Sequence, residues 1–504
     1  MTPEEWTRKY RQEAVGALPQ LSDEKQKLPA NSYSIPGLLN QSVIFFIRDF
    51  LSKIADKQYI IITLLGSPLL ALILAWFLKY SEGEDYKFSA NDNIPAYIFM
   101  CVITSMFLGL MVASEEIVKD RKILKRESFL NLSWFSYLNS KIIMMFLISA
   151  IQTISFILIG NIILEIRGMT LSYWFALFTI SCFANVLGLN ISSAFNSVIT
   201  IYIIIPFIII PQLLLSGVLV RYDKLNKGRL ASQEYVPVIG DLMTARWAFE
   251  AIAVRQFKDN EYSKHFFNSN AFARQNGYYA LLVDELAKDL YKCRICSDSA
   301  GNSKNDAYYR DLLNKKLKRL NRHIDELSDL SSIAPGNWKS SLTETEFNYE
   351  IERETRKHID SLKRYFTGRL RDGIARKDSV ESALASTIGK EGLIRLRDNY
   401  ENESLMSLAL DEENPGKVIY TQNKIIQKMN PGYMKPSSAT GRSHFFAPSK
   451  IIGNMETDTY IFNLTVIWLV TILLYGALYF KGLQKFITIF GNIRMKRQVH
   501  PPGL

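Results

Sequence analysis

The chain has 504 residues, of which 48% are hydrophobic and 22% charged, and a formal net charge of +11. Mean hydropathy is close to zero, but the apolar residues stand in long unbroken blocks, a pattern of membrane-spanning helices and not of a soluble globule. The blocks also lack the dyad alternation of a membrane barrel.

Residues 1–34 are polar, contain Pro19 and Pro29, and read as a tail or linker; the opening "MTPEEWTRKYRQ" has no apolar core of a secretory signal. Residues 35–57 then place Val43, Phe46, Ile47, Phe50, Leu51 and Ile54 at helical spacing, with Gln41, Arg48, Ser52 and Asp56 opposite. Such a helix lies along a membrane surface or packs on a neighbouring protein domain; its pattern fits either. Apolar runs long enough to cross a bilayer follow at 58–80, 94–114, 141–166, 171–191, 198–220 and 460–480. The expected fold is therefore an all-α membrane protein with six transmembrane helices.

Charge orients these spans. Lys119, Arg121, Lys122, Lys125 and Arg126 follow the second run; Lys481, Lys485, Arg494, Lys496 and Arg497 follow the sixth; the link "SEGEDYKFSANDN" between the first two is mainly acidic. The positive-inside rule puts both basic segments and both termini in the cytoplasm and leaves 221–458 outside the cell. The net positive charge then needs no nucleic-acid partner: part of it faces the anionic inner leaflet, and part lies in the long outer segment, where the rule does not apply. That segment opens with "YVPVIGDLMTARWAFEAIAVRQF", apolar enough to dip into the membrane, though Asp241, Arg246, Glu250 and Arg255 argue against a full crossing. Beyond it, amphipathic patterns predict a mostly helical domain outside the membrane, and the last residues, 481–504, form a cytoplasmic tail.

Chemistry is sparse. A Walker phosphate loop is absent, and the five histidines show no metal-ligand spacing. Cys293 and Cys296 form a lone C-x-x-C, read as a local disulfide or as two free thiols; without a second pair no metal site is expected. Gln152, Asn161, Asn185, Asn190 and Gln212, inside the spans, are expected to hydrogen-bond helix to helix. Pro206 and Pro211 are expected to kink the fifth span.

"DRKILKRESFLNLSWFSYLNSK" resembles the "ER-x-x-x-x-RE … Y-x-x-x-K" pattern after the second transmembrane helix of G-subfamily ABC transporters, the white/multidrug/sterol type, with Asp120 in place of the usual Glu and Arg121, Arg126, Glu127, Tyr137 and Lys141 matching. "GLNISSAFNSV", "IPQLLLSGVLV" and "MTARWAFEAIAVRQF" are similar to later blocks of that family, and Arg48-Asp49 to the pair on its connecting helix. The resemblance implies an ABC-2 type permease of bacterial character in the inner membrane, working as a homodimer and exporting substrate. ATP and Mg would be bound by a partner ATPase, on a separate subunit or on a longer product, and this chain itself would hold no cofactor. It also implies roles: Asp120, Arg121, Arg126 and Glu127 couple to the ATPase, Leu108, Ile210 and Leu213 line a substrate cavity, and Val218 and Leu219 form a gate. An apolar lining suggests an amphipathic or lipid-like cargo, although core packing explains the same residues. A membrane-anchored sensory or structural protein, whose outer domain binds a ligand or partner, is the alternative.

Overall fold

The computed structural model describes residues 2–13, 36–80, 85–127, 132–224, 234–300 and 306–489. Expectations that fall on most of the N-terminal tail, on 128–131 after the basic cluster, and on Arg494, Lys496 and Arg497 lie outside the described residues.

A short helix, α1 (Pro3–Glu13), precedes α2 (Leu38–Ala55), the predicted amphipathic helix. The spans follow as α3 (Lys57–Leu78), α4 (Ile94–Ser114), α6 (Trp134–Leu164), α7 (Thr170–Ala194), α8 (Val198–Leu214) and, much later, α16 (Thr459–Tyr479), with α5 (Glu116–Glu127) between α4 and α6. Five helices among the described residues are long and apolar enough to cross a membrane, which makes this a multi-pass membrane protein; α8 is a shorter apolar helix. Its 17 residues span only about 26 Å, against about 30 Å for a hydrocarbon core. The expected fifth span, 198–220, is thus helical only to Leu214, running through both prolines before it stops. Gly217 then adopts a left-handed conformation (φ 81°), and a Cβ there would lie 2.3 Å from the Tyr222 ring, so the chain turns where only glycine fits.

Small residues bring α4 and α7 together. A Cβ on Gly109 would meet the Ser181 backbone oxygen at 2.7 Å, and one on Gly188 would meet the Ala113 Cβ at 3.0 Å, the close approach that gives helices in lipid their packing enthalpy. The in-span amides hydrogen-bond as expected. Gln152 donates to the Thr63 carbonyl (2.8 Å), Asn185 to the Ser149 hydroxyl (2.8 Å) and Asn190 to the Leu474 carbonyl (3.0 Å), while the Gln212 side chain accepts from the Ala245 N–H (2.9 Å).

The insertion between α8 and α16 starts with α9 (Val238–Asp241) and the buried α10 (Thr244–Asp259), which packs on α4, α7 and α16. Long helices α11 (Ser263–Ala300), α12 (Asp306–Ser331) and α13 (Tyr349–Ile388) build a second core outside the span bundle, followed by α14 (Lys390–Tyr400) and α15 (Glu403–Leu410). Two hairpins complete it: β1 (Val418–Tyr420) with β2 (Ile425–Gln427), and β3 (Ser449–Ile452) with β4 (Met455–Asp458). Cys293 and Cys296 sit on α11, buried in this second core, and are free thiols; the disulfide reading is not realised, because both sulfurs are used as apolar filling between helices. The insertion joins the bundle at the end that holds the α3–α4 link, where Asn402 donates to the carbonyls of Phe88 (2.8 Å) and Asn91 (2.9 Å). Helices α2 and α5 occupy the opposite end.

Candidate coupling site and transport path

Docking of α2 inverts the usual logic of an amphipathic helix. Gln41 and Phe45 are buried and Asp49 and Lys53 partly so, a strip at i, i+4, i+8 and i+12 that faces the protein, while Val43, Ile47, Phe50, Leu51 and Ile54 are exposed. A helix packed on a soluble neighbour would bury its apolar face; one at a membrane surface leaves that face for lipid. The observed strip favours the membrane surface.

The polar strip meets a charge network. Lys141, at the start of α6 and with only 5% of its side chain exposed, lies 2.6 Å from Asp49, 2.9 Å from Glu116 and 2.9 Å from Asp120. Lys53 pairs with Glu116 from the other side, and the Tyr137 hydroxyl donates to Asp120 (2.9 Å). At the rim, Arg48 pairs with Glu127 at 2.7 Å. Three carboxylates and two lysines thus tie α2, α5 and α6 at one point, and the dryness of the site makes each pair depend on the others.

The charged segment itself is a helix, continuous with α4 apart from a turn at Glu115. Its first turn is capped from outside: the Ser192 hydroxyl accepts from the N–H groups of Ile117 (3.0 Å) and Val118 (3.1 Å). One turn later Arg121 donates to the carbonyls of Ser192 (3.2 Å) and Ser193 (2.7 Å) and to Asn196, placing a cation at the negative end of α7. Of the four residues expected to couple to an ATPase, Asp120, Arg121 and Glu127 are thus used within the chain, whereas Arg126 is exposed, as is Lys122. A cleft of about 510 Å³ opens beside them, lined in part by Phe45, Leu124, Trp134 and Lys481.

Sequence reasoning missed Glu116 and Lys53. The signal for Glu116 was an acidic pair directly after an apolar run; that for Lys53 was its place one turn beyond Asp49.

The expected path residues lie on two elements. Leu108 is half-buried on α4, which packs on α8. On α8, Leu213 packs on the bundle core, whereas Ile210 is exposed, in one outward stripe with Ile199, Ile203, Phe207 and Leu214. The expected gate pair is split: Val218 packs against the core and Leu219 points outward, 62% exposed.

A second buried charge cluster lies under α10. Glu250 and Arg246 are fully buried and 2.8 Å apart, and Lys450 on β3 reaches Glu250 at 3.0 Å. Asn463 of α16 donates to the same carboxylate (2.9 Å), and Asp241 holds Arg246 (3.0 Å). Burial alone would push the Glu250 carboxyl up, but Lys450 and Arg246 outweigh it and hold it below the usual carboxylate range. These charges, which argued against a full crossing by this segment, are the pins that join insertion, α10 and α16. Lys450 stands 200 residues away, which hid it from a reading of the local sequence.

Among the described residues no group of three or more His, Cys, Asp or Glu is arranged to hold a metal ion. Residues 40–257 match the family model described as ABC-2 type transporter. The match covers less than half of the chain and marks that segment, from α2 through α10, as similar to the membrane part of ABC-2 type transporters. A search of curated proteins returns no match.

Proposed function

We propose that the chain is the permease subunit of an ATP-driven exporter of the G-subfamily type, a homodimer in the inner membrane that moves an amphipathic or lipid-like substrate. A partner ABC ATPase hydrolyses ATP. The charge network that locks α2, α5 and α6 into one body is the observation that supports this reading. A rigid elbow with Lys122 and Arg126 on its free face is a lever suited to receive ATPase closure and pass it to the spans. In this reading α8 supplies the sixth crossing, both termini are cytoplasmic, and the insertion stands outside. The outward stripe of α8, Leu108 and Ile210 would face a second copy across a central cavity, with Leu219 near its outer end.

Reconstitution with the partner ATPase tests the assignment. Arg126→Glu reverses an exposed charge at the elbow without touching the buried network, so it should leave insertion and folding intact and abolish substrate stimulation of ATP hydrolysis. Wild-type stimulation in that variant would remove the elbow from coupling.

A further inference from the structure

Where the insertion meets the end of α8 there is a pocket of about 370 Å³, within the size range of small-molecule sites. Its wall is largely apolar, with Val218, Tyr222, Leu408, Ile419, Met434 and Phe445 among the lining residues. Three carboxylates also reach it, and each is already held: Asp411 and Asp223 by Arg221, and Glu234 by Lys424. His444 donates its Nε2–H to the Pro431 carbonyl (3.0 Å). The remaining charged group is Lys428. Its side chain is partly buried and lines the pocket, and among the described residues its ammonium has neither a hydrogen bond nor an ion pair.

An ammonium group withdrawn from water without an acceptor is costly, and a carboxylate or phosphate oxygen brought to it recovers that cost. The apolar wall around it would at the same time shelter a hydrocarbon or aromatic body. We infer that this pocket is a binding site for an amphiphile with one acidic head group, the head on Lys428 and the apolar body against Phe445, Leu408 and Met434. Burial lowers the affinity of Lys428 for its proton, with Asp223, Asp411 and Glu234 opposing that drop and Arg221 adding to it. An anionic head would act in the same sense as those carboxylates, so binding should strengthen as the pH falls through the titration of this lysine. The site is separate from the elbow and from the α8 stripe, and it stands whether or not the chain transports.

Calorimetry on the full chain in nanodiscs of zwitterionic lipid provides the test, with octanoate, octyl phosphate, octanol, octylammonium and acetate as probes. Octanoate and octyl phosphate should bind saturably and the other three at least tenfold more weakly. Lys428→Met should lose tenfold or more in octanoate affinity, whereas Lys417→Met, at an exposed position outside the pocket lining, should lose little. Equal affinity for octanol, or for acetate, would overturn the acidic-amphiphile assignment, as would unchanged affinity in Lys428→Met. If that variant does not insert, the wild-type chain still decides. Octanoate should protect Lys428 from reductive methylation, read by mass spectrometry, and equal labelling with and without octanoate would overturn the proposal.

Discussion

Replacing Lys141 by Met should undock α2. The lysine ammonium is the common partner of Asp49, Glu116 and Asp120, at 2.6, 2.9 and 2.9 Å, and methionine keeps its length and apolar stem while removing the charge. Glu116 retains Lys53, and Asp120 retains the Tyr137 hydroxyl and some contact with water. Asp49 loses its ion-pair partner and keeps only the more distant Lys53, and its second oxygen is already buried without a hydrogen-bond partner. Breaking one partner of a buried ion pair costs about 3–5 kcal/mol; because two of the three carboxylates keep a partner, the lower end, about 3 kcal/mol, applies. At about 2 °C per kcal/mol for a large chain, the midpoint of thermal unfolding in detergent should fall by roughly 6 °C. Limited proteolysis should cut first within residues 38–55, since α2 loses its strongest polar anchor while its apolar face remains free. Lys141→Arg, which keeps the charge, should recover part of the loss. A Lys141→Met protein that melts within a degree of wild type and resists protease at α2 would show that the network contributes little, and the rigid elbow would then have no physical basis.

Glu250→Gln should be the most damaging single change under α10, because it leaves Arg246 and Lys450 buried against each other; a loss of about 3–5 kcal/mol is expected, and the double variant with Lys450→Met should regain part of it in the same melt. Burial pushes His444 down to about 4, below the value near 6.5 of an unfolded histidine. The folded chain therefore resists its protonation, and the stability it contributes is complete above about pH 6.5 and lost as the pH falls toward 4, by at most about 1.4 kcal/mol per pH unit. His444→Asn should flatten the acid side of a plot of melting temperature against pH, and an unchanged slope would show that another group titrates there. Leu219→Ala, at an exposed position, should leave the melting temperature alone and raise basal ATP hydrolysis with the partner, whereas Val218→Ala should cost about 1 kcal/mol of packing. The opposite assignment of effects would put Val218, not Leu219, at the gate.

Membrane character, the position of nearly every span and the helical nature of the insertion can be read from the residues alone, because all three rest on hydropathy and periodicity within windows of about twenty residues. The in-span amides are likewise legible as helix-to-helix donors, since an amide in lipid must find a partner nearby. The charged run after α4 was legible as a site by its density, but not as a helix capped by Ser192, a contact with the end of α7. Which charges meet depends on the packing of distant segments. Asp49 joins Lys141 across 92 residues and Glu250 joins Lys450 across 200, and no local pattern specifies a partner at that distance. The direction of α2 was also a tertiary outcome. A helical moment says that one face is apolar, but whether that face is buried or offered to lipid depends on what the polar face finds, and here it finds Lys141 and Glu116. The end of α8 was decided in the same way: the apolar run continues to Val220, but the helix stops at Leu214, and beyond it Gly217 turns left-handed over the Tyr222 ring.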